Sequence, residues 1–470
     1  MDEKRTYTVK EFDYLVSSTG ARFLSSSVSS FTILPDSIFD ELIEYLLSSV
    51  KEEGKQLFRV MKLSSNAHFG KAIQLQNYVG MIELPRSKKR IEILPKIYSG
   101  NAEVGSIHKI KQILLSMLSS LKDFPLLHLG EASLDLKKLS LYEVFIRIFL
   151  DRVLDLSKRG LKSDYLEVTE NSPSFRGHLN VPLHIKYNSA HDERFYITHD
   201  EYSLSRPENR ILKSAILKLL KVTEDDENAF LAKRALIYFD EVAESLDFES
   251  DYRRIQFDSS NQGYLGVIQW AMVFLRNQSF SIFGGGTNGQ SLLFPMDRIF
   301  EQYIASQIAR LIRLHNKKYG TSYRFVSQES SKYLFDVPKS FKIRPDLKLD
   351  QEGGETILLD TKWKILSDKK PKNNISQSDM YQMYAYSKRY HATDVYLLYP
   401  AAPSTPFIQN REFLANDAML TTKIRLEFLD VLNIVATSKK GLSVSPNCLY
   451  QFLLQFIKTD KGDGKTIAAI

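Results

Sequence analysis

Charged side chains meet on a stretch of sequence that is typical of a β-hairpin. Residues 343–349 and 355–365 alternate between largely apolar and polar types, and a turn-like, glycine-containing segment separates them. A turn centred between these strands places Asp346 opposite, or nearly opposite, Asp360. Their side chains are then expected about 5 Å apart on one face. The alternation of a strand also sends Lys362 to that face, so two carboxylates and an amine converge.

This convergence is typical of a hydrolytic metal site. Paired carboxylates repel each other unless a cation sits between them, and oxygen ligands favour a hard ion such as Mg²⁺, with Mn²⁺ as an alternative. A lysine beside such an ion can hold or help to deprotonate a water, and it can neutralise charge on an attacked phosphate. The chemistry indicated is hydrolysis of a phosphodiester. A surface hairpin with ordinary charges is the alternative, because an Asp-x-Lys triplet alone is common.

The elements on either side of the hairpin have an order that can position it. An amphipathic helix is predicted over residues 295–314, and Glu301 lies off its main apolar stripe. A second helix, predicted over residues 376–390, carries Gln382 and Tyr386 four residues apart on one face. The order of elements becomes αβββαβ once two short strands are added, at residues 322–327 and 395–399.

The composition of the whole chain is typical of a multidomain globular protein. Its 470 residues suit roughly two to four domains. Hydrophobic residues at 43% and charged residues at 25% are ordinary, and the net charge of +7 suits an anionic partner such as DNA without requiring one. Cys448 is the only cysteine, which excludes an internal disulfide and a multi-thiolate zinc site. With no export signal and no apolar run of bilayer length, a cytoplasmic protein without membrane contact is expected.

The chain divides into four predicted segments. Residues 1–100 are β-rich with one helix, residues 101–285 mix helices and strands, residues 286–435 hold the hairpin, and residues 436–470 form a helix and tail. The boundary at residue 285 lies in the glycine-rich run 284–289, the clearest breaker in the chain. No Gly-Lys-Ser/Thr follows that run, so the chain is expected to bind no nucleotide of its own.

Several of these residues match known motifs. In combination, Glu301, Pro345-Asp346, Asp360-x-Lys362 and Gln382-x-x-x-Tyr386 resemble the PD-(D/E)xK nuclease superfamily, in the variants that carry a Q-x-x-x-Y helix. Between about residues 75 and 400 the chain is also similar to the McrC family, the nuclease subunits of McrBC-type restriction systems. Stretches that carry this second likeness include Val79-Gly80-Met81-Ile82, Ile91-Glu92-Ile93-Leu94-Pro95-Lys96 and Phe175-Arg176-Gly177-His178-Leu179.

The resemblance implies a fold class and partners. The fold implied is an α+β or α/β multidomain protein, in which a β-rich and helical partner-binding region precedes a restriction-endonuclease-like αβββαβ core. McrC-like proteins act with an McrB-like AAA+ GTPase ring, which recognises and translocates double-stranded DNA. The McrC-like subunit docks through its N-terminal and middle portions, here including residues 101–285, stimulates GTP hydrolysis and cuts. The choice of DNA target is then expected to lie with the partner.

The resemblance also implies roles for particular residues. Asp346 and Asp360 are expected to be Mg²⁺ ligands, and Lys362 is expected to position the attacking water. Glu301 is expected to orient the site or to bind a second ion. The residues expected to position the site or contact DNA are Gln382, Tyr386, Lys364 and Arg344. For Gln382 and Tyr386 the alternative is a helix that packs its polar edge on the sheet.

Two other functions remain open from the sequence. The chain could chiefly activate a ring NTPase as a non-cleaving adaptor, with a weak or vestigial nuclease core. It could also be a stand-alone nuclease of the DNA-repair type. Cleavage assays with and without the partner distinguish these from a partner-driven restriction nuclease.

Overall fold

The fold is divided between two units of chain, one inserted in the sequence of the other. Unit 1 comprises Met1–Lys138, Ser281–Thr287 and Leu292–Ile470, and unit 2 comprises Leu139–Phe280 and Asn288–Ser291. The predicted boundary at residues 284–289 lies outside the described residues, and the division into four segments stays a prediction. The computed structural model describes residues 5–23, 31–48, 57–66, 70–97, 104–121, 139–257, 262–276, 291–350, 356–366, 374–401, 411–416, 421–439 and 447–457.

The first part of unit 1 is β-rich, as the sequence predicts. Its helix α1 buries the apolar positions Ile38, Leu42 and Leu46, which are spaced four residues apart along one face. The strands are β1 (Thr6–Lys10), β2 (Tyr14–Ser17), β3 (Phe31–Leu34), β4 (Met61–Asn66), β5 (Gly70–Leu75), β6 (Tyr78–Glu83) and β7 (Arg90–Leu94). The α-helices are α1 (Asp36–Ser48), α2 (Leu57–Val60) and α3 (Val104–Leu118), and a 3₁₀ turn spans Gly20–Phe23.

Unit 2 combines helices with a small antiparallel sheet. Its helices are α4 (Leu141–Lys158), α5 (Val181–Asn188), α6 (Pro207–Val222), α7 (Asp226–Tyr238), α8 (Phe248–Arg254) and α9 (Gln262–Arg276). Its strands are β8 (Asp164–Ser172), β9 (His178–Leu179) and β10 (Phe195–Ser203), in the order β8-β10-β9.

A buried carboxylate, Glu143 of α4, ties the helices of unit 2 together. Its Oε2 accepts hydrogen bonds from Thr223 Oγ1 at 2.6 Å and from Asn228 Nδ2 at 2.8 Å. Its Oε1 accepts a hydrogen bond from the backbone N–H of Glu224 at 3.1 Å. Both carboxylate oxygens are therefore supplied with donors, as a buried charge requires.

The rest of unit 1 contains the predicted core. Its strands are β11 (Ser291–Pro295), β12 (Arg324–Ser327), β13 (Tyr333–Asp336), β14 (Lys339–Lys342), β15 (Leu347–Asp350), β16 (Thr356–Thr361), β17 (Asp394–Pro400), β18 (Glu412–Ala415) and β19 (Thr422–Leu429). Its helices are α10 (Met296–Tyr319), α11 (Gln377–Tyr390), α12 (Val431–Lys439) and α13 (Cys448–Leu453). The predicted fold class, an α+β multidomain protein, is confirmed.

The core is a mixed sheet with the order β12-β15-β16-β17-β19-β18. The strands β12, β15 and β16 are antiparallel neighbours, whereas β16, β17 and β19 run parallel. Helix α10 precedes this sheet and α11 connects β16 to β17, which is the predicted αβββαβ order. One element was not predicted: the hairpin β13–β14 is inserted between β12 and β15 and pairs only with itself among the described residues.

Two further sheets complete unit 1 within the described residues, in the orders β3-β2-β5-β4 and β1-β7-β6-β11. Gly80 of β6 permits the close approach of β11. It has φ 128°, and a Cβ at this position would lie 1.9 Å from the carbonyl oxygen of Leu292. Only glycine fits there without movement of the backbone. None of the helices in the described part of the chain is long and apolar enough to cross a membrane.

Candidate active site

The pairing of β15 with β16 brings the two predicted carboxylates together. Leu347 pairs with Leu359 and Leu349 with Ile357, which is the register that the sequence predicts. One residue beyond the last pair, this register sets Asp346 opposite Asp360. Asp360 is the more deeply buried of the two, with 1% of its surface exposed. The central strand β16 therefore carries a carboxylate into the interior of the sheet.

Asp346 is held by the strand opposite. Its Oδ2 accepts hydrogen bonds from both the backbone N–H and the Oγ1 of Thr361, each at 2.8 Å. Burial raises the pKa of Asp346, and the two hydrogen bonds from Thr361 oppose that increase without cancelling it. The orientation of Asp346 is thus fixed by a residue of the Asp360-x-Lys362 triplet itself.

Asp360 has little to compensate its burial. Its Oδ2 lies 2.5 Å from Lys362 Nζ, whereas its Oδ1 has no hydrogen-bond partner among the described residues. Burial, and then repulsion from Asp346, raise the pKa of Asp360 to about 7, although Lys362 acts in the opposite direction. A buried carboxylate with an unsatisfied oxygen is costly unless a further positive charge reaches it.

Lys362 lies between the carboxylates and helix α11. Burial lowers the pKa of its ammonium group, but attraction to Asp360 and Asp346 outweighs burial, and the pKa is raised above its usual value. The side chain is therefore a permanent cation at neutral pH. Its Nζ also donates a hydrogen bond to Gln382 Oε1 at 3.4 Å.

The two motif residues of α11 continue this chain of contacts. Gln382 Nε2 donates to the hydroxyl of Tyr386 at 2.6 Å, and that hydroxyl donates to the carbonyl oxygen of Arg344 at 2.8 Å. Gln382 and Tyr386 thereby connect Lys362 to the backbone two residues before Asp346. The helix does pack on the sheet, but its polar edge is directed at the charged residues.

Glu301 approaches the site from α10 through another residue. Its Oε1 is hydrogen-bonded to Gln328 Nε2, and the backbone N–H of Gln328 donates to the carbonyl oxygen of Asp346 at 2.7 Å. Burial, and then the charge of Asp346, raise the pKa of Glu301. No group of three or more His, Cys, Asp or Glu side chains that could hold a metal ion occurs in the part of the chain that the structure describes. This geometry favours an orienting role, and a role for Glu301 as a metal ligand stays a prediction.

The other two predicted site residues are more exposed. Lys364 Nζ pairs with Asp379 of α11 at 2.7 Å, and 40% of the Lys364 side chain is exposed. Arg344 is exposed; its carbonyl oxygen accepts a hydrogen bond from Tyr386, and its charge acts to lower the pKa values of Asp346 and Glu301. Both cations are therefore at least partly open to solvent.

The sequence did not indicate a contact between the N-terminal part of unit 1 and the residue that follows the Asp360-x-Lys362 triplet. Trp363 Nε1 donates a hydrogen bond to Glu11 Oε1 at 2.8 Å, and the same oxygen accepts from the backbone N–H of Lys96 at 2.9 Å. The Trp363 ring also lies against Phe300, with ring centroids 5.1 Å apart. Glu11 is fully buried, and this burial raises its pKa to about 7. Trp363, which directly follows Lys362, is thus held by Glu11 and by Phe300.

The residues fit a divalent cation between Asp346 and Asp360. Both carboxyl groups have raised pKa values, and the Oδ1 of Asp360 is buried without a donor. These are the properties of oxygens that a hard cation would satisfy, since its charge would stabilise both ionised forms. The donor set contains only oxygen, which suits Mg²⁺ or Mn²⁺ better than a softer metal.

Comparison with known proteins gives the family of the chain. Residues 73–400 match the family model described as McrBC 5-methylcytosine restriction system component, and the chain belongs to this family. The matched range contains every residue assigned to the site above except Glu11. No curated protein matches the chain.

Two solved structures resemble the chain. One is a half-complex of Thermococcus gammatolerans McrB AAA+ hexamers with bound McrC; a chain of it has a TM-score of 0.64 at 17% identity, over 91% of this chain and 95% of that chain. The other is the cryo-EM structure of the McrBC complex of the same organism, with a TM-score of 0.47 at 19% identity, over 65% of this chain and 88% of that chain. The first likeness shows a shared fold.

Proposed function

We propose that this protein is the Mg²⁺-dependent DNA endonuclease subunit of an McrBC-like restriction complex, which acts in defence against phage. The observation that carries the proposal is the meeting of Asp346, Asp360 and Lys362, with an unsatisfied carboxylate oxygen between a fixed aspartate and a fixed ammonium group. Membership of the McrBC family supports the same conclusion independently.

The residues of the site have separate tasks in hydrolysis. Asp346 and Asp360 would hold the ion, which, when bound, supplies positive charge to the attacked phosphate. Lys362 would hold the attacking water through its ammonium group. As the water adds to phosphorus and the P–O bond to the leaving sugar oxygen breaks, negative charge grows on the phosphate oxygens. The ammonium group of Lys362 would offset that charge. Gln382 and Tyr386 would keep Lys362 in place, because their hydrogen bonds connect it to the backbone beside Asp346.

Arg344 and Lys364 would bind the DNA backbone on either side of the site. Both are exposed or partly exposed; Arg344 lies two residues before Asp346, and Lys364 lies four residues after Asp360. Glu301 would orient the site through Gln328. The net charge of +7 suits double-stranded DNA as the substrate, since phosphate contacts supply most of sequence-independent affinity.

The proposed partner is an McrB-like AAA+ GTPase ring. The fold of this chain is shared with a chain from a complex of McrB AAA+ hexamers with bound McrC. We infer that this protein likewise docks on such a ring, stimulates its GTP hydrolysis and receives DNA from it. The chain is expected to bind no nucleotide itself, so cleavage would depend on GTP only through the partner.

The proposal is tested by cleavage of methylated and unmodified plasmid DNA with Mg²⁺, with and without the AAA+ partner and GTP. Asp360→Ala and Lys362→Ala are expected to lower cleavage by at least about a thousandfold while the protein still binds the partner. Asp350→Ala is the matched control, because Asp350 lies at the far end of the same two strands and bonds to Thr356. Cleavage by Asp360→Ala equal to that of the parent would exclude the proposed site.

The same assay separates the two other functions. Cleavage by the chain alone would indicate a stand-alone nuclease. Stimulated GTP hydrolysis without any cleavage by the intact complex would indicate a non-cleaving activator.

Metal binding can be measured without cleavage. Addition of Mg²⁺ is expected to raise the melting temperature of the parent protein, because a ligand that binds only the folded state stabilises it. Asp360→Asn is expected to lose most of that increase, and Asp350→Asn is expected to keep it. An equal increase in Asp360→Asn would place the ion elsewhere.

A further inference from the structure

A hairpin with exposed apolar residues precedes Asp346 closely in the chain. The hairpin β13–β14 occupies residues 333–342, and the chain runs from its last residue to Asp346 through only three residues. Three of its apolar side chains are largely open to solvent: Val337 is 92% exposed, Phe341 72% and Phe335 53%. An apolar surface on a hairpin that pairs with no other strand in the described part of the chain requires an explanation other than the core.

This apolar hairpin is braced against the helix that supports the site. The carboxylate of Asp336 accepts two hydrogen bonds from the guanidinium group of Arg389 of α11, at 3.0 Å and 2.5 Å. The rings of Phe335 and Phe341 meet edge to face with their centroids 5.9 Å apart. Phe341 has φ 56°, a backbone conformation that bulky residues rarely adopt. The exposed rings thus belong to a hairpin that is tied to α11 and whose two rings contact each other.

Positive charge surrounds the apolar tip. Lys332, Lys339 and Lys342 are exposed along the hairpin, and exposed Arg344 follows. Between residues 332 and 344 the only acidic residue is Asp336, whose charge is offset by Arg389. The surface therefore combines cations with exposed apolar side chains, and it is separated from Asp346 by only three residues of chain.

We propose that the apolar hairpin is a DNA-binding wedge. Its lysines bind phosphates next to the bond to be cut, and Phe335, Val337 and Phe341 insert against the bases in a groove of the duplex. The inference rests on the proposed nuclease function and extends it to how the substrate is held. Proteins that kink DNA commonly insert apolar residues, Phe and Pro among them, between base steps, while basic side chains hold the backbone.

The charge of this surface favours DNA over a protein partner. Protein–protein interfaces are depleted of lysine, whereas lysine binds phosphates throughout protein–DNA interfaces. The position of the hairpin gives a second argument. It is attached both to Asp346, through three intervening residues, and to α11, through Arg389, so we expect a duplex that contacts it to reach the carboxylates as well. Insertion of the tip would fix the distance between the bases and the cutting site.

The first test is the affinity of the full chain for a short unmodified DNA duplex, measured by fluorescence anisotropy across a range of salt concentrations. An Asp360→Asn background prevents cleavage. In that background, the triple variant Lys332→Gln, Lys339→Gln and Lys342→Gln is expected to bind at least about tenfold more weakly. The slope of log K against log salt is expected to fall by about 2 to 3, which corresponds to three lost phosphate contacts.

A matched triple variant controls for net charge. Lys62, Lys71 and Lys88 are exposed lysines of the N-terminal strands and the turn after them, so their replacement by Gln removes the same charge far along the chain. This control is expected to keep both the affinity and the salt slope within about twofold of the parent. Equal losses of DNA affinity and of salt slope in the two triple variants would overturn the proposal, because net charge alone would then explain them.

The second test addresses the apolar tip. A duplex with 2-aminopurine at several positions becomes more fluorescent when a base step is unstacked. The Asp360→Asn protein with an unchanged hairpin is expected to increase this fluorescence when it binds. A variant that also carries the three substitutions Phe335→Ser, Val337→Ser and Phe341→Ser is expected to show no increase but to keep its salt-dependent binding. These side chains are exposed, so the melting temperature of the variant should match that of the parent.

Each outcome decides between the wedge and another role. Unchanged DNA binding and fluorescence in both hairpin variants would overturn the wedge and leave the nuclease proposal standing. Unchanged DNA binding with lost co-purification of the AAA+ ring would identify a surface for the partner instead. Absence of DNA binding by the parent, with and without the ring, would overturn the wedge and the nuclease function together.

Discussion

Each unit contains a buried carboxylate, and the two differ in the hydrogen-bond donors that surround them. In unit 2, Glu143 accepts hydrogen bonds from Thr223, Asn228 and the backbone of Glu224. In unit 1, Asp360 meets Lys362 on one oxygen and has no hydrogen-bond partner for the other in the described residues. Burial and repulsion raise the pKa of Asp360 to about 7.

The difference separates Glu143, whose hydrogen bonds contribute to the fold, from Asp360, which we propose as a ligand of a metal ion. Donors that surround Glu143 make its charge part of the packing of α4 against its neighbours. Asp360 instead adds an unfavourable charge to the apo protein, and a strongly perturbed pKa in such surroundings is typical of functional sites. Four substitutions would break or sharpen this comparison.

The largest effect is expected at Glu143. Glu143→Ala removes three hydrogen bonds to a buried carboxylate, from the part-buried Thr223 and Glu224 and from the buried Asn228, so the free energy of unfolding should fall by about 4 kcal/mol. Thermal and chemical denaturation of the full chain measure this change in the transition that belongs to unit 2. A loss below about 1 kcal/mol would show that Glu143 does not have the structural role assigned to it.

For a substitution of Asp360 we expect the free energy of unfolding to rise and not to fall. Asp360→Asn removes an unfavourable buried charge, so at pH 8 without metal the free energy of unfolding should rise by about 3 kcal/mol. Cleavage should be lost in the same variant. The pairing of increased stability with lost activity is measured by denaturation and plasmid assays on one preparation. A destabilised Asp360→Asn protein would remove the contrast with Glu143.

An intermediate case is Glu11, which is buried yet accepts bonds from Trp363 and Lys96. Its raised pKa means that its contribution to stability is complete below about pH 4.5 and is lost as pH rises through about 7. Lys96 opposes this increase in pKa and Asp297 adds to it. Glu11→Gln keeps the acceptor oxygen, so it should be about 2 kcal/mol more stable than the parent at pH 8 and similar to it at pH 4.5.

The measurement for Glu11 is the free energy of unfolding as a function of pH. Glu11→Ala serves as the control, because it removes both the charge and the acceptor of Trp363 and should lower stability at every pH. A parallel pH dependence in the parent and in Glu11→Gln would mean that Glu11 does not titrate in this range.

The smallest effect is expected at Tyr386. Tyr386→Phe removes the hydroxyl that connects Gln382 to the backbone of Arg344, so cleavage should fall about tenfold while stability changes by about 1 kcal/mol. Tyr390→Phe is the matched control one turn further along α11, because its hydroxyl donates to the carbonyl oxygen of Glu329, at 3.4 Å, and Glu329 is not one of the site residues. The loss should lie in kcat and not in KM, since the tyrosine positions Lys362 and does not hold DNA.

Much of the site could be predicted because its geometry is local. The alternation of residues 343–365 determines the register of β15 and β16, so the meeting of Asp346 with Asp360 follows from two short strands and a turn. That turn itself lies outside the described residues. The four-residue spacing of Gln382 and Tyr386 likewise puts both on one face of α11, and the contact between them is observed.

What escaped prediction depends on contacts that no local pattern encodes. Glu11 and Trp363 are 352 positions apart in the chain, and nothing in the alternation of either strand indicates their hydrogen bond. Gln328 connects Glu301 to Asp346 from a position just after β12, where a sequence pattern indicates only the end of a strand. The hairpin β13–β14 has exposed apolar residues, so it lacks the polar and apolar alternation by which strands on a core are recognised.

The insertion of unit 2 within unit 1 has a consequence for synthesis on the ribosome. Unit 2 is nearly continuous in sequence and can fold as soon as its last helix emerges. The strands β1, β7 and β6 must wait for β11, and Glu11 must wait for Trp363, 352 residues later. At ordinary elongation rates this interval is roughly 20 to 70 s. The sheet of β1, β7 and β6 is therefore incomplete until β11 emerges, and Glu11 lacks Trp363 for the whole interval, so this part of the nascent chain is expected to need protection by a chaperone.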